Sequence, residues 1–123
     1  MRLKLLAVAA LALLAGCATP PPPAPGSAAS KVVVMNKFNN IAIGAMRVAR
    51  ENGFLTVKVA LNNTSHTNMT MYYRFVWLGD DGFPVADEES WKVFNLYAAQ
   101  ATFLPAIAPV PKATDFRLEV KTQ

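Results

Sequence analysis

The chain has 123 residues, 53% of them hydrophobic, with 12 basic and 8 acidic side chains, one histidine and one cysteine. So few His and Cys exclude a zinc centre, which takes three or four such ligands, and a lone thiol excludes a disulfide framework. The basic residues stand singly, without a cluster of four, which excludes a nucleic-acid-binding stripe.

The N-terminus opens with Arg2 and Lys4, followed by Leu5 to Leu14 built only from Leu, Ala and Val, and closes on Leu14-Ala15-Gly16-Cys17. A charged start, an apolar run and small residues at the cut are the parts of a secretory signal. The apolar stretch, Leu5 to Ala18, falls short of the roughly 20 residues that span a bilayer. The motif at Cys17 resembles the bacterial lipobox, which implies cleavage before Cys17 and acylation of its sulfur and freed amine. Two or more acyl chains suffice for stable anchoring, so the expected membrane contact is the lipid on Cys17. Ala18 follows, where in similar lipoproteins an Asp favours inner-membrane retention; the expected address is therefore the periplasmic face of the outer membrane. Removing the first 16 residues leaves 107 and takes Arg2 and Lys4 away, lowering the formal charge from +4 to +2.

Residues 17–30 read as the acylated Cys and a proline-rich tether, with Pro20 to Pro23 and Pro25 favouring polyproline II. At about 3.1 Å per residue the stretch reaches roughly 40 Å. Residues 31–123 then form one domain, too small to enclose a deep active site and also retain a sufficient core.

From Lys31 the hydrophobic period is two, which predicts an all-β domain. Val32 to Met35 is the first expected strand. Ile41 to Arg50 is the second, with Ala42, Gly44, Met46 and Val48 alternating against Ile43, Ala45, Arg47 and Ala49. Asn52-Gly53 predicts a type I′ hairpin turn, after which Leu55, Val57, Val59 and Leu61 mark the inner face of a third strand. Asn62 to Asn68 is a polar loop with sequon-like triplets at Asn62, Asn63 and Asn68, read here as turn caps that bond backbone amides. Met69 to Leu78 carries Met69, Met71, Tyr73, Phe75 and Trp77 on one face, read as core in preference to a nucleic-acid or sugar platform.

Gly79 to Gly82 predicts a tight turn and Phe83 to Val85 a short edge piece. Asp80, Asp81, Asp87, Glu88 and Glu89 lack the spacing of a calcium loop and read as an exposed acidic loop. Trp91 to Leu96, Gln100 to Ile107 and Ala113 to Lys121 complete the set. In the last of them Phe116, Leu118 and Val120 point inward while Asp115, Arg117, Glu119 and Lys121 point outward. Pro105, Pro109 and Pro111 confine their stretch to an edge or take it out of the sheet. Seven short strands predict an immunoglobulin-like β-sandwich, with a small barrel as the alternative.

The segment Tyr73 to Val85, followed by Trp91, Ala108-Pro109 and Asp115-Phe116-Arg117-Leu118, resembles the YcfL family of bacterial lipoproteins. The likeness takes in Ile43-Gly44, Asn52-Gly53 and Asn62-Asn63-Thr64 and runs from about Val32 to Val120. It implies a small periplasmic sandwich in a cell-envelope setting near peptidoglycan synthesis, and it brings no catalytic residues.

Catalytic chemistry has little to work with. His66 lies in a polar loop, and a Ser-His-Asp arrangement would have to recruit Ser65 or Ser90 without a nucleophile elbow. The expectation is a non-enzymatic chain without cofactor that engages an envelope protein through a sheet face or edge. The alternative is a binder of glycans or small molecules with Tyr72, Trp91 or Tyr97 as stacking residues. An interaction module should expose a broad apolar face, whereas a binder should show a concavity lined by aromatic and polar groups.

Overall fold

The computed structural model describes residues 28–122; the leader, Cys17 and the proline run lie outside them. Among the described residues are seven strands: β1 (Val32–Val34), β2 (Ile41–Glu51), β3 (Phe54–Asn63), β4 (Met69–Leu78), β5 (Lys92–Leu96), β6 (Ala101–Ile107) and β7 (Asp115–Thr122). They form a four-stranded sheet, β1-β7-β4-β5, and a three-stranded sheet, β2-β3-β6. This is the expected sandwich and not a closed barrel. All pairings are antiparallel except β1 with β7. Ala28–Lys31, partly assigned to the tether from sequence, form a 3-10 turn leading into β1, and Lys31 Nζ donates to Asp115 Oδ1 at 2.6 Å.

The period-two faces meet where expected. Leu55, Val57, Val59 and Leu61 of β3 oppose Met71, Phe75 and Trp77 of β4 and Phe116, Leu118 and Val120 of β7, and all are buried. Phe75 and Trp77, two residues apart on one strand face, stack at 5.0 Å between centroids, with Phe116 tilted against both. The aromatic stripe is therefore core. Asn52 and Gly53 both take positive φ, as the type I′ turn demands.

Strand β2 departs from simple alternation. Ile43 pairs with Leu61, but Met46 pairs with Val59, so one extra residue is accommodated at Gly44-Ala45. This β-bulge reverses the phase of the strand. Ile41, Ile43 and Met46 thereby all reach the core, while Ala42, Gly44 and Ala45 are exposed. The sequence alternation that grouped Met46 with Ala42 and Gly44 is corrected by that one inserted residue.

The second edge of β4 is covered piecewise. β5 pairs with it only from Met69 to Tyr73. Beyond that point Phe75 N donates to the Glu89 carboxylate at 3.0 Å, Val85 N donates to Trp77 O, and Pro84 bridges Leu78. Glu89 thus stands in for a strand, and the acidic stretch read as wholly exposed turns this member inward. Asn63 ends β3 with its side chain fully enclosed, donating to the carbonyls of Thr67, Leu96 and Tyr97 and accepting from Ser65 N and Oγ. The Asn63 amide faces inward at 1% exposure and cannot act as a glycosylation acceptor.

Candidate functional site

Two outer faces carry the exposed chemistry. On the three-stranded sheet, β6 reads Thr102-Phe103-Leu104-Pro105-Ala106-Ile107. Leu104 is buried, while Phe103 and Ile107 on the opposite side are 64% and 68% exposed. Edge position admits Pro105, which pairs across from Lys58. Lys58 also lies directly opposite Arg47 of β2. Like charges so placed repel and weaken the pairing. Among the described residues neither makes an ion pair, since the salt bridges involve Lys31, Arg74, Lys92 and Arg117. Ala42, Gly44, Ala60 and Ala101 floor an open recess of about 420 Å³ walled by Phe103. The residues of this face were not singled out from sequence; the signal was an edge strand apolar on both sides.

On the four-stranded sheet the structure brings Tyr72 and Trp91 together and leaves Tyr97 apart. Tyr72 pairs with Lys121, and both line an open concavity of about 440 Å³ with Trp91, Asn36 and Thr122. The Trp91 ring lies 4.4 Å from Arg74 Cζ and 4.5 Å from Lys121 Nζ, and Lys121 Nζ is 6.0 Å from the Tyr72 ring. Tyr97 is exposed at the far end of β5, in the turn where Ala99 takes positive φ. Glu119, expected to face solvent, is only 7% exposed on this outer face. Arg74 Nε donates to it at 2.7 Å and Trp91 stacks over Arg74, so the pair is covered from outside.

Two carboxyl groups titrate below their ordinary values. Burial pushes Glu89 up, but hydrogen bonds from Phe75 N, Lys92 and the Trp77 indole together outweigh it. At Asp115 burial likewise raises the value, and Lys31 and Phe116 N overcome it. A native value below the unfolded one gives stability that is complete above the unfolded pKa and lost as pH falls through the native one. The urea midpoint is therefore expected to hold from pH 7 to about 5 and to fall below about pH 4. In Glu89→Gln the neutral-pH midpoint should drop and the acid slope flatten, as urea titrations at several pH values would show.

His66 is exposed, and the neighbouring Ser65 hydroxyl donates to Asn63 Oδ1, away from any base. Among the described residues no three His, Cys, Asp or Glu converge as metal ligands, and no helix is long and apolar enough to cross a membrane.

Fold and surfaces together define a small two-sheet scaffold whose chemistry is displayed on open faces. A protein-family model described as "Protein of unknown function (DUF1425)" matches residues 30–122, and the chain belongs to that family. It is similar to the crystal structure of Campylobacter jejuni cj0090, with a TM-score of 0.66 and 27% identity over 76% of this chain and 98% of that one. It is also similar to a DUF1425 family member from Shewanella sp. pv-4, with a TM-score of 0.62 and 27% identity over 68% of this chain and 78% of that one. Among curated proteins nothing matches the chain.

Proposed function

We propose that the chain is a YcfL-like lipoprotein, anchored through Cys17 at the periplasmic face of the outer membrane, that acts as a non-enzymatic docking module for an envelope protein. The lipobox supports the anchoring, and the resemblance drawn from the sequence supports a setting linked to peptidoglycan synthesis. The docking reading rests on the outer face of β2-β3-β6, where Phe103 and Ile107 flank the unpaired Arg47–Lys58 couple.

That face selects a partner chemistry. Two cations that make no ion pair among the described residues, with Glu51 farther along β2, call for carboxylates opposite them, around an apolar group that fills the recess beside Phe103. A second copy of the chain would bring the same cations face to face, and a flat bilayer presents no projecting group for the recess. Three strands about 4.8 Å apart and some seven residues at about 3.3 Å each give a face of roughly 10 by 23 Å. At about 230 Å² this is well short of the roughly 800 Å² per partner of a standard interface, so it serves as the centre of a contact that extends onto the loops and edges around it.

The test places a photoreactive residue at Thr56, directly across from Ile107 on the neighbouring strand, in the full-length lipoprotein in cells. The expected result is one protein adduct that is lost in Arg47→Glu/Lys58→Glu and reduced by high salt. Adducts only to lipid or to the chain itself would overturn the docking reading. Cys17→Ser separately tests the anchor, since unchanged processing and membrane retention would refute it.

A further inference from the structure

The concavity on the other sheet is independent of the docking face, and its charge balance points to a ligand. Arg74 and Lys121 both meet the Trp91 ring, but their charges are handled differently. The Arg74 guanidinium is met by Glu119 at 2.7 Å and by Glu88 at 3.7 Å. Among the described residues Lys121 meets only the rings of Trp91 and Tyr72, and no carboxylate reaches it. One ammonium without a counter-ion therefore sits between two aromatic side chains at the wall of an open concavity of about 440 Å³.

We infer that Tyr72, Trp91, Lys121 and Asn36 form a binding site for an acidic sugar, its carboxylate on Lys121 and its flat C–H face against the aromatic side chains. A single ammonium suits a monoanionic carboxylate; a phosphate is favoured by the fork of an arginine, and here the fork of Arg74 is already committed to Glu119. The Asn36 side chain, exposed at the rim and engaged in no hydrogen bond among the described residues, can serve ring hydroxyl or acetamido groups. The Thr122 hydroxyl lines the same wall but is taken up by Lys37 O and Asn39 N, so it shapes the site without reading the ligand.

The chain offers its own reporter. It has two tryptophans, and Trp77 is 2% exposed in the core, so a fluorescence response to added sugar comes from Trp91. The probes are a matched pair: the disaccharide of N-acetylglucosamine and N-acetylmuramic acid, which carries a lactyl carboxylate, and neutral di-N-acetylglucosamine. Titrated into the intact domain, the acidic disaccharide should give a saturable change and bind about tenfold more tightly than the neutral one, the gain of one charge-assisted hydrogen bond. In Lys121→Gln that preference should disappear, while Tyr72→Ala should weaken both sugars. An unaltered thermal midpoint in Lys121→Gln establishes that the loss is local. Equal binding of the two disaccharides, absence of saturation up to about 10 mM, or an undiminished preference in Lys121→Gln would each overturn the proposal. Loss of this site leaves the photocrosslinking result at Thr56 unchanged, so the two readings fail separately.

Discussion

Asn63→Ala is expected to destabilise the domain by about 3 kcal/mol, the range for leaving several buried polar groups without partners. Three carbonyls, those of Thr67, Leu96 and Tyr97, lose their shared donor, and Ser65 loses an acceptor for both its amide and its hydroxyl. The residue lies where β3 of one sheet gives way to β4 of the other, and Asn63 N itself donates to Gln100 O. One side chain thus ties together the 64–68 and 97–100 crossings. Asn63→Asp should be at least as damaging, because a carboxylate would aim lone pairs at three carbonyl oxygens. The exposed neighbour serves as control, with Asn62→Ala expected within about 0.5 kcal/mol of the parent. Urea unfolding of the three variants decides the matter; a loss below about 1 kcal/mol for Asn63→Ala would mean that the loops close without it.

Arg74→Met is expected to cost a similar amount, about 3 kcal/mol, because removing one member of an enclosed ion pair strands the other. Glu119 would keep only Arg117, at 3.6 Å and partly exposed. The double variant Arg74→Met/Glu119→Met should recover most of the loss, as apolar replacements of enclosed pairs commonly do. Chemical denaturation of both single variants and the double variant measures the coupling between the two positions. Trp91 provides a second readout, since its ring rests against Arg74 and its emission should change in Arg74→Met but not in Arg117→Gln. Near-zero coupling would place the pair among exposed surface contacts.

How legible this was in the sequence follows from which physics is local. Met69 to Leu78 and the Leu55-Val57-Val59-Leu61 face were legible because each strand buries one face, and that writes a period of two. The phase of β2 was not, because a bulge adds a residue without leaving a mark beyond Gly44 itself. Glu119 read as outward, and it is outward; its enclosure comes from Trp91, 28 positions away, folding over Arg74. Glu89 looked like one of three acids in a loop, and only the early end of β5 explains why it turns in to serve Phe75. Of the candidate surface residues, Tyr72 and Trp91 come together because β4 and the 86–91 loop converge. Tyr97 was placed with them by residue type alone, and β5 carries it to the other end. Cys17 lies outside the described residues, and its reading remains one of motif.

The parallel pairing of β1 with β7 determines how the domain would answer a pull. Under the proposed anchoring, tension enters through the N-terminus at Lys31, at the same end as the start of β7 at Asp115. A force directed out along β1 loads its contacts with β7 in shear, so the bonds from Val32 through Met35, with the Lys31–Asp115 ion pair, must yield together and not one after another. A membrane-tethered module that grips a partner would by this route hold its fold under load until β1 came away from β7 as one unit.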